Sequence, residues 1–236
     1  MTLTENPNRE TKENYGFTLV ATDVVGNSSE QNISLMILNS DEDQTNSGLM
    51  LPKPGRKKQN IKLSSPYTIK GLSIDSVLIG TGKSDQLKGT KKSDLITGHL
   101  KKDTLSGGKG NKGDVFLLSE DQLGKKHADI IIGFNGKQGD LIALDIAAFV
   151  KGSKTKLKAA SNLKKLNKLA KKSNELIYDK KKGDLYFNEN GKAKGLGRDG
   201  GLLATLKGAP KLNKKQFTYL DFLESADGGY TITDWF

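Results

Sequence analysis

The stretch 80-GTGKSDQLKGTKKSDLITGHLKKDTLSGGKG-110 decides how the rest of the chain is read. An aspartate returns every nine residues, at Asp85, Asp94 and Asp103, with an aliphatic residue two places after each. Glycine returns in the same register at Gly80, Gly89, Gly98 and Gly107. An interval of nine suits a turn of about six residues followed by a strand of about three. Two such units make one coil of a flattened parallel β-roll. Leu87, Ile96, Leu105 and, after a two-residue insertion, Phe116 then point inward. Glycine lets the turn backbone take positive φ without a Cβ clash. Because each coil uses two units, Asp85 and Asp103 are expected on one edge, Asp94 and Asp114 on the other. Carboxylates facing backbone carbonyls of the next coil are hard oxygen ligands of the kind calcium prefers.

The pattern resembles the hemolysin-type (RTX) calcium-binding repeat, G-G-x-G-x-D-x-U-x. The likeness runs over roughly residues 79–116 and continues in "ADIIIGFNGKQGDLIALD" (128–145), which looks like the segment that closes this family's roll. "LIYDKKKGDLYFNENGKAKG" and "LLATLKG" resemble the carboxyl-terminal part of secreted proteins of the same class. The resemblance implies calcium ligands at Asp85, Asp94, Asp103 and Asp114, assisted by carbonyls of Gly80, Gly89, Gly98, Gly107 and Gly108. This sequence departs from the pattern in its turns. The second glycine is replaced by Thr81, Thr90 and His99, the third by Lys83, Lys92 and Lys101. A lysine at positive φ costs about 1 kcal/mol, and an ammonium beside a divalent ion repels it. Weakened calcium affinity is therefore expected, with lysines partly replacing the metal as counter-charges for the stacked aspartates.

The other segments extend this reading. Residues 14–39 alternate like a β-hairpin around the turn residues "DVVGNSS". "LTENPNRETKENYGFTLVATDVVGNSSEQNISLMILNSDED" looks like the end of a cadherin-like β-sandwich, which implies calcium ligation by Glu10 and Asp23 with the acidic linker after them. At about 40 residues it is short of a full sandwich of ~100. Residues 44–73, polar with two prolines and a basic cluster in "LPKPGRKKQN" (51–60), read as a linker. Residues 151–174 carry nine lysines and no acid, and Leu157, Leu163, Leu166 and Leu169 give a stripe for a short basic helix.

The expected architecture is thus mainly β. A partial cadherin-like β-sandwich (1–43) and a linker (44–73) precede a parallel β-roll of nonapeptide repeats (74–146). A C-terminal β extension with a short basic helix (147–236) follows, and could hold a type I secretion region.

Composition bounds the function. The 236 residues carry a net charge of +11, almost all from lysine, which attracts polyanions. With no cysteine, disulfides and thiolate metal sites are excluded. No stretch is long or apolar enough to span a bilayer, and the N-terminus lacks a conventional signal peptide. His99 and His127 stand alone, and no nucleophile elbow or phosphate-binding loop is present, so no enzyme activity is expected. The leading expectation is a non-enzymatic calcium-binding module of a secreted or cell-surface, adhesin-like protein. Its partners would be an acidic cell-surface polysaccharide or another surface protein, and its exit a C-terminal type I signal. The alternative is a basic intracellular protein binding a polyanion such as nucleic acid. Against nucleic acid stands the lack of arginine and aromatics in the basic run, whose simplest reading is a solvated helix. A third reading is an export and spacer segment with no ligand of its own.

Overall fold

A computed structural model describes residues 14–22, 28–36, 48–118, 123–145, 149, 156–172, 175–197, 200–224 and 229–234. The chain divides into two units, residues 1–47 and 48–236.

In the first unit β1 (Asn14–Thr22) and β2 (Ser28–Met36) form an antiparallel hairpin, with Asn14 opposite Met36 and Thr22 opposite Ser28. This is the hairpin expected from the alternation. Glu10 and Asp23 lie outside the described residues.

The second unit is also mainly β. Its strands are β3 (Leu49–Leu51), β4 (Gln59–Ile69), β5 (Leu72–Ile79), β6 (Gln86–Lys88), β7 (Asp94–Thr97), β8 (Thr104–Ser106) and β9 (Val115–Leu118). Then come β10 (Asp129–Ile132), β11 (Leu141–Asp145), β12 (Leu157–Ala160), helix α1 (Leu163–Leu169), β13 (Leu176–Asp179) and β14 (Asp184–Phe187). The last are β15 (Gly201–Leu206), β16 (Phe217–Glu224) and β17 (Tyr230–Asp234). From β5 to β11 successive strands alternate between two sheets. β5, β7, β9, β11 and β16 run parallel in an eight-stranded sheet; β6, β8, β10 and β15 run parallel in a seven-stranded one. The C-terminal segment adds strands to both sheets.

Hydrophobic burial drives this alternation. Leu87, Ile96, Leu105 and Phe116 meet between the sheets with Leu78, Ile131 and Ile142 in one buried cluster. A buried Leu or Ile contributes about 1.5–3 kcal/mol, so the short strands β6 and β8 are each held mainly by a single inward residue, Leu87 and Leu105. The eight-stranded sheet is buried on its other face too, where Val77, Leu95, Val115, Leu117 and Ala143 pack with Leu220 and Ile232. Tyr67 on β4 donates its hydroxyl to the Ile232 carbonyl on β17 at 3.2 Å, joining the two sides of the strand order. This sheet therefore nearly closes on itself.

Two expectations are corrected. Part of 44–73 is not linker: β3 pairs with β17 and β4 with β5, because Ile61, Leu63, Tyr67 and Ile69 pack against the second core. Pro66 is tolerated because it falls where the register between β4 and β5 shifts, an edge-strand irregularity that needs no donor. The basic helix starts after Leu157, which lies in β12. Asn162 caps it by accepting from the Lys165 N–H at 2.8 Å, and Leu166 and Ala170 anchor it on Ala160 and Ile177.

Candidate functional site

Parallel stacking places the turns of alternate units above one another and the aspartates in two columns. On one edge the Asp85 N–H donates to Oδ1 of Asp103 at 2.6 Å, and the Asp103 N–H to Oδ1 of Asp129 at 2.8 Å. On the other, the Asp94 N–H donates to Oδ1 of Asp114 at 2.9 Å, and the Asp114 N–H to Oδ1 of Asp140 at 3.0 Å. Ser76 heads this second column, its hydroxyl donating to Oδ1 of Asp94. The structure thus brings Asp85 to Asp103 and Asp94 to Asp114, the pairs expected from the interval. Asp129 and Asp140, which close the columns, were not among the expected ligands. Their signal is present in the sequence: Gly124…Asp129 repeats the spacing of Gly80…Asp85, and Gly139-Asp140-Leu141 repeats Gly113-Asp114-Val115.

The second carboxylate oxygen separates two kinds of turn. In Gly80–Asp85, Oδ2 of Asp85 accepts from the Thr81 N–H at 2.7 Å and its hydroxyl at 2.8 Å. The same Thr81 oxygen accepts from the Lys83 N–H at 3.1 Å. Gly89–Asp94 repeats this closure, with Thr90 bonding Oδ2 of Asp94 and accepting from the Lys92 N–H. Asn135 does the same work in the last turn: its N–H reaches Oδ2 of Asp140 at 2.7 Å and its Oδ1 accepts from the Lys137 N–H at 3.1 Å. Small side-chain oxygens that bond backbone two residues on are a standard way to close a turn. Replacing Thr81 and Thr90 together with valine is expected to cost about 1–2 kcal/mol per site in urea denaturation, since each change strips a hydroxyl bond from a carboxylate and one from an N–H.

The turn Gly98–Asp103 has no such closure. His99 and Lys101 stand where threonine and lysine stand in the first turn, and both adopt positive φ, 69° and 71°. Lys83 and Lys92 are not among the positive-φ residues, so the strain expected at three lysines falls on Lys101 alone. The threonine closure lets the other two turns use ordinary backbone. Oδ2 of Asp103, in a side chain only 1 % exposed, has no hydrogen-bond partner. A Cβ at Gly98 would fall on that oxygen, and one at Gly107 on Oδ2 of Asp114. At Gly98 and Gly107 the glycine is there because the carboxylate closing its own turn fills that space; at Gly80 and Gly89 the carbonyl of the stacked turn comes closest.

Burial raises these carboxyls above the ordinary range. Asp103 is pushed up to about 6, with backbone hydrogen bonding from Asp85 opposing and the Asp85 charge adding. Asp114 reaches about 7 and Asp129 about 8, again mainly through burial, with column neighbours repelling their charges. Asp140 is raised by burial as well. The Oδ1 atoms of Asp94, Asp103, Asp114, Asp129 and Asp140 are met by N–H or O–H donors. Lysine counter-charge is present but small: Lys102 favours the charged form of Asp129 as the least of its influences, and Lys92 pairs at 3.1 Å with Asp75, outside the columns.

Two of the turns do not fit a metal ion well. In Gly80–Asp85 and Gly89–Asp94 the carboxylate oxygens already accept from threonine. At Asp103 the donor set fits better, because a buried, unpartnered carboxylate oxygen is what a hard cation satisfies. Among the described residues no three or more acidic, histidine or cysteine side chains converge, so most ligands there would have to be backbone carbonyls. No helix among the described residues is long and apolar enough to cross a membrane.

No family model, curated protein or solved structure matches the chain.

Proposed function

We propose that residues 48–236 form a non-enzymatic, calcium-responsive β-roll module of an exported or cell-surface protein, with nonapeptide turns specialised into two kinds. The threonine-closed turns Gly80–Asp85 and Gly89–Asp94 hold their shape without metal. The open turn Gly98–Asp103 on one edge and the turn Gly107–Asp114 on the other supply the calcium-binding parts, with Asp103 and Asp114 as side-chain ligands of separate sites and the carbonyls of Gly98, Gly107 and Gly108 assisting them.

The observation that carries this reading is the bare Oδ2 of Asp103 within a column of carboxylates. Asparagine would offer the same Oδ1 acceptor to each stacked N–H without the cost of burying charge beside charge. Keeping aspartate at position 103, where Oδ2 meets no donor, makes physical sense where a cation consumes the charge. Affinity is expected to be modest, in the millimolar range of extracellular modules, because few carboxylates are left open.

Calorimetric titration with calcium tests it, alongside far-UV circular dichroism in chelator. The wild-type chain should keep its β spectrum in chelator, bind calcium weakly and melt at a higher temperature with it. Asp103→Asn should fold equally well yet lose much of the calcium heat and of the melting shift. Absence of any calcium effect on the wild type, or an unchanged response in Asp103→Asn, rejects the proposal.

A further inference from the structure

The lysines outnumber what the columns use for counter-charge. On the edge formed by turns Gly80–Asp85, Gly98–Asp103 and Gly124–Asp129, the acids are the column aspartates, of which Asp103 and Asp129 are fully covered. Lys83, Lys101, Lys102, Lys125 and Lys126 are all exposed on the same turns. Buried acid and exposed base leave an outward face of one sign.

Register orders that face. β6 pairs with β8 at an offset of 18 residues (Gln86 with Thr104), and β8 with β10 at 26 (Thr104 with Ile130). Carried back through the turns, these offsets set Lys83 over Lys101 and Lys101 over His127. Adjacent rungs are about 4.7–4.9 Å apart, close enough for like charges to repel. Lys101 bears the further cost of positive φ, which glycine at the same position would avoid. Repulsion and strain kept together on one edge mark a functional surface rather than a stabilising one.

We propose that this edge docks an extended acidic polysaccharide, its rings running from rung to rung with their carboxylates against the lysine row. The chemistry of the edge selects this partner. The three turns contain no arginine for bidentate phosphate contacts and no Phe, Tyr or Trp on which bases could stack; their only rings are the imidazoles of His99 and His127. Leu100, 39 % exposed, is too little apolar surface to enter a lipid interface. Lysine ammonium groups on flexible stems suit a polymer whose charges repeat regularly and need no base readout. The inference does not depend on calcium.

The test is fluorescence anisotropy with labelled polygalacturonate in the presence of chelator, at low and at raised salt. The wild type should bind, less tightly as salt rises. The variant K83Q/K101Q/K102Q/K125Q/K126Q should lose at least about tenfold in affinity. The variant K164Q/K165Q/K168Q/K172Q, which removes similar charge from the groove beside α1, should lose less than about twofold. Lys101→Gly covers the case in which the fivefold variant fails to fold: its melting temperature should rise while its affinity falls. No binding by the wild type, equal losses in the two multiple variants, or unchanged affinity in Lys101→Gly overturns the proposal. So does tighter binding to oligothymidylate or to phosphatidylserine vesicles.

Discussion

Gly108→Ala is expected to cost at least about 3 kcal/mol in urea denaturation and to leave much of the chain unfolded at ambient temperature. Two effects add at this position. The backbone has φ 98°, a conformation that costs a side chain about 1 kcal/mol. The new Cβ would also fall on the carbonyls of Thr90 and Gly89 in the stacked turn. Those are backbone atoms fixed by the ladder, so they cannot swing aside as a flexible side chain could. Gly71→Ala separates the two contributions. Gly71 has φ 77° but open space where its Cβ would be, so its replacement should cost only about 1 kcal/mol. Similar losses at the two sites would show that the turns are not stacked as described.

That stacking was legible in the sequence where the period is unbroken. The nine-residue interval placed Leu87, Ile96, Leu105 and Phe116 inward, and the structure buries all four in one cluster. The same interval paired Asp85 with Asp103. Legibility failed where insertions lengthen the repeat: Asp103 to Asp129 and Asp114 to Asp140 are each 26 residues, against 18 from Asp85 to Asp103. A strict period misses these last rungs, although the local glycine–aspartate spacing survives. The second core was hidden for a different reason. A strand covered on both faces shows an apolar run rather than alternation, and in Val115–Leu118 the repeat register singles out Phe116 alone. The run of four buried residues is the trace of a sheet that nearly closes.

The threonine closure shows how a departure from a pattern can be informative. Seen only as lost glycines, Thr81 and Thr90 imply a weakened turn. Their hydroxyls instead bond the carboxylate and the N–H that a bare turn would leave open. The recurrence of Gly-Thr-x-Lys-Ser-Asp at 80–85 and 89–94 was the available sign, since a second identical departure points to a defined local structure. Hydroxyl partners cannot be read from spacing alone, because the bond depends on a turn conformation that the sequence does not display.

Asp114 provides the sharpest test of how the columns are held, through two substitutions compared across pH. Its folded-state carboxyl titrates at about 7, above the ordinary 3.8, mainly because of burial. A raised value means that the folded chain holds the proton more tightly than the unfolded one. The resulting stability is fully present below about pH 4 and is lost as pH rises through 7. Asp103 at about 6 and Asp129 at about 8 act in the same direction, so the metal-free chain should lose stability steadily from about pH 4 to 8. Asp114→Asn keeps an oxygen for the Asp94 N–H and has no proton to lose. It should match the wild type only below about pH 4, exceed it at pH 8 in chelator, and show a shallower decline between. Asp114→Ala leaves that buried N–H without its acceptor and should be less stable than Asp114→Asn by about 1–3 kcal/mol throughout. Calcium favours the ionised carboxylates, so under the proposed function its addition should restore wild-type stability most at pH 8 and help Asp114→Asn least. Urea titrations of the three proteins, with chelator and with calcium, provide the comparison. A wild-type curve that rises with pH in chelator would mean that the columns welcome charge on their own, and the reason for assigning them a cation would disappear.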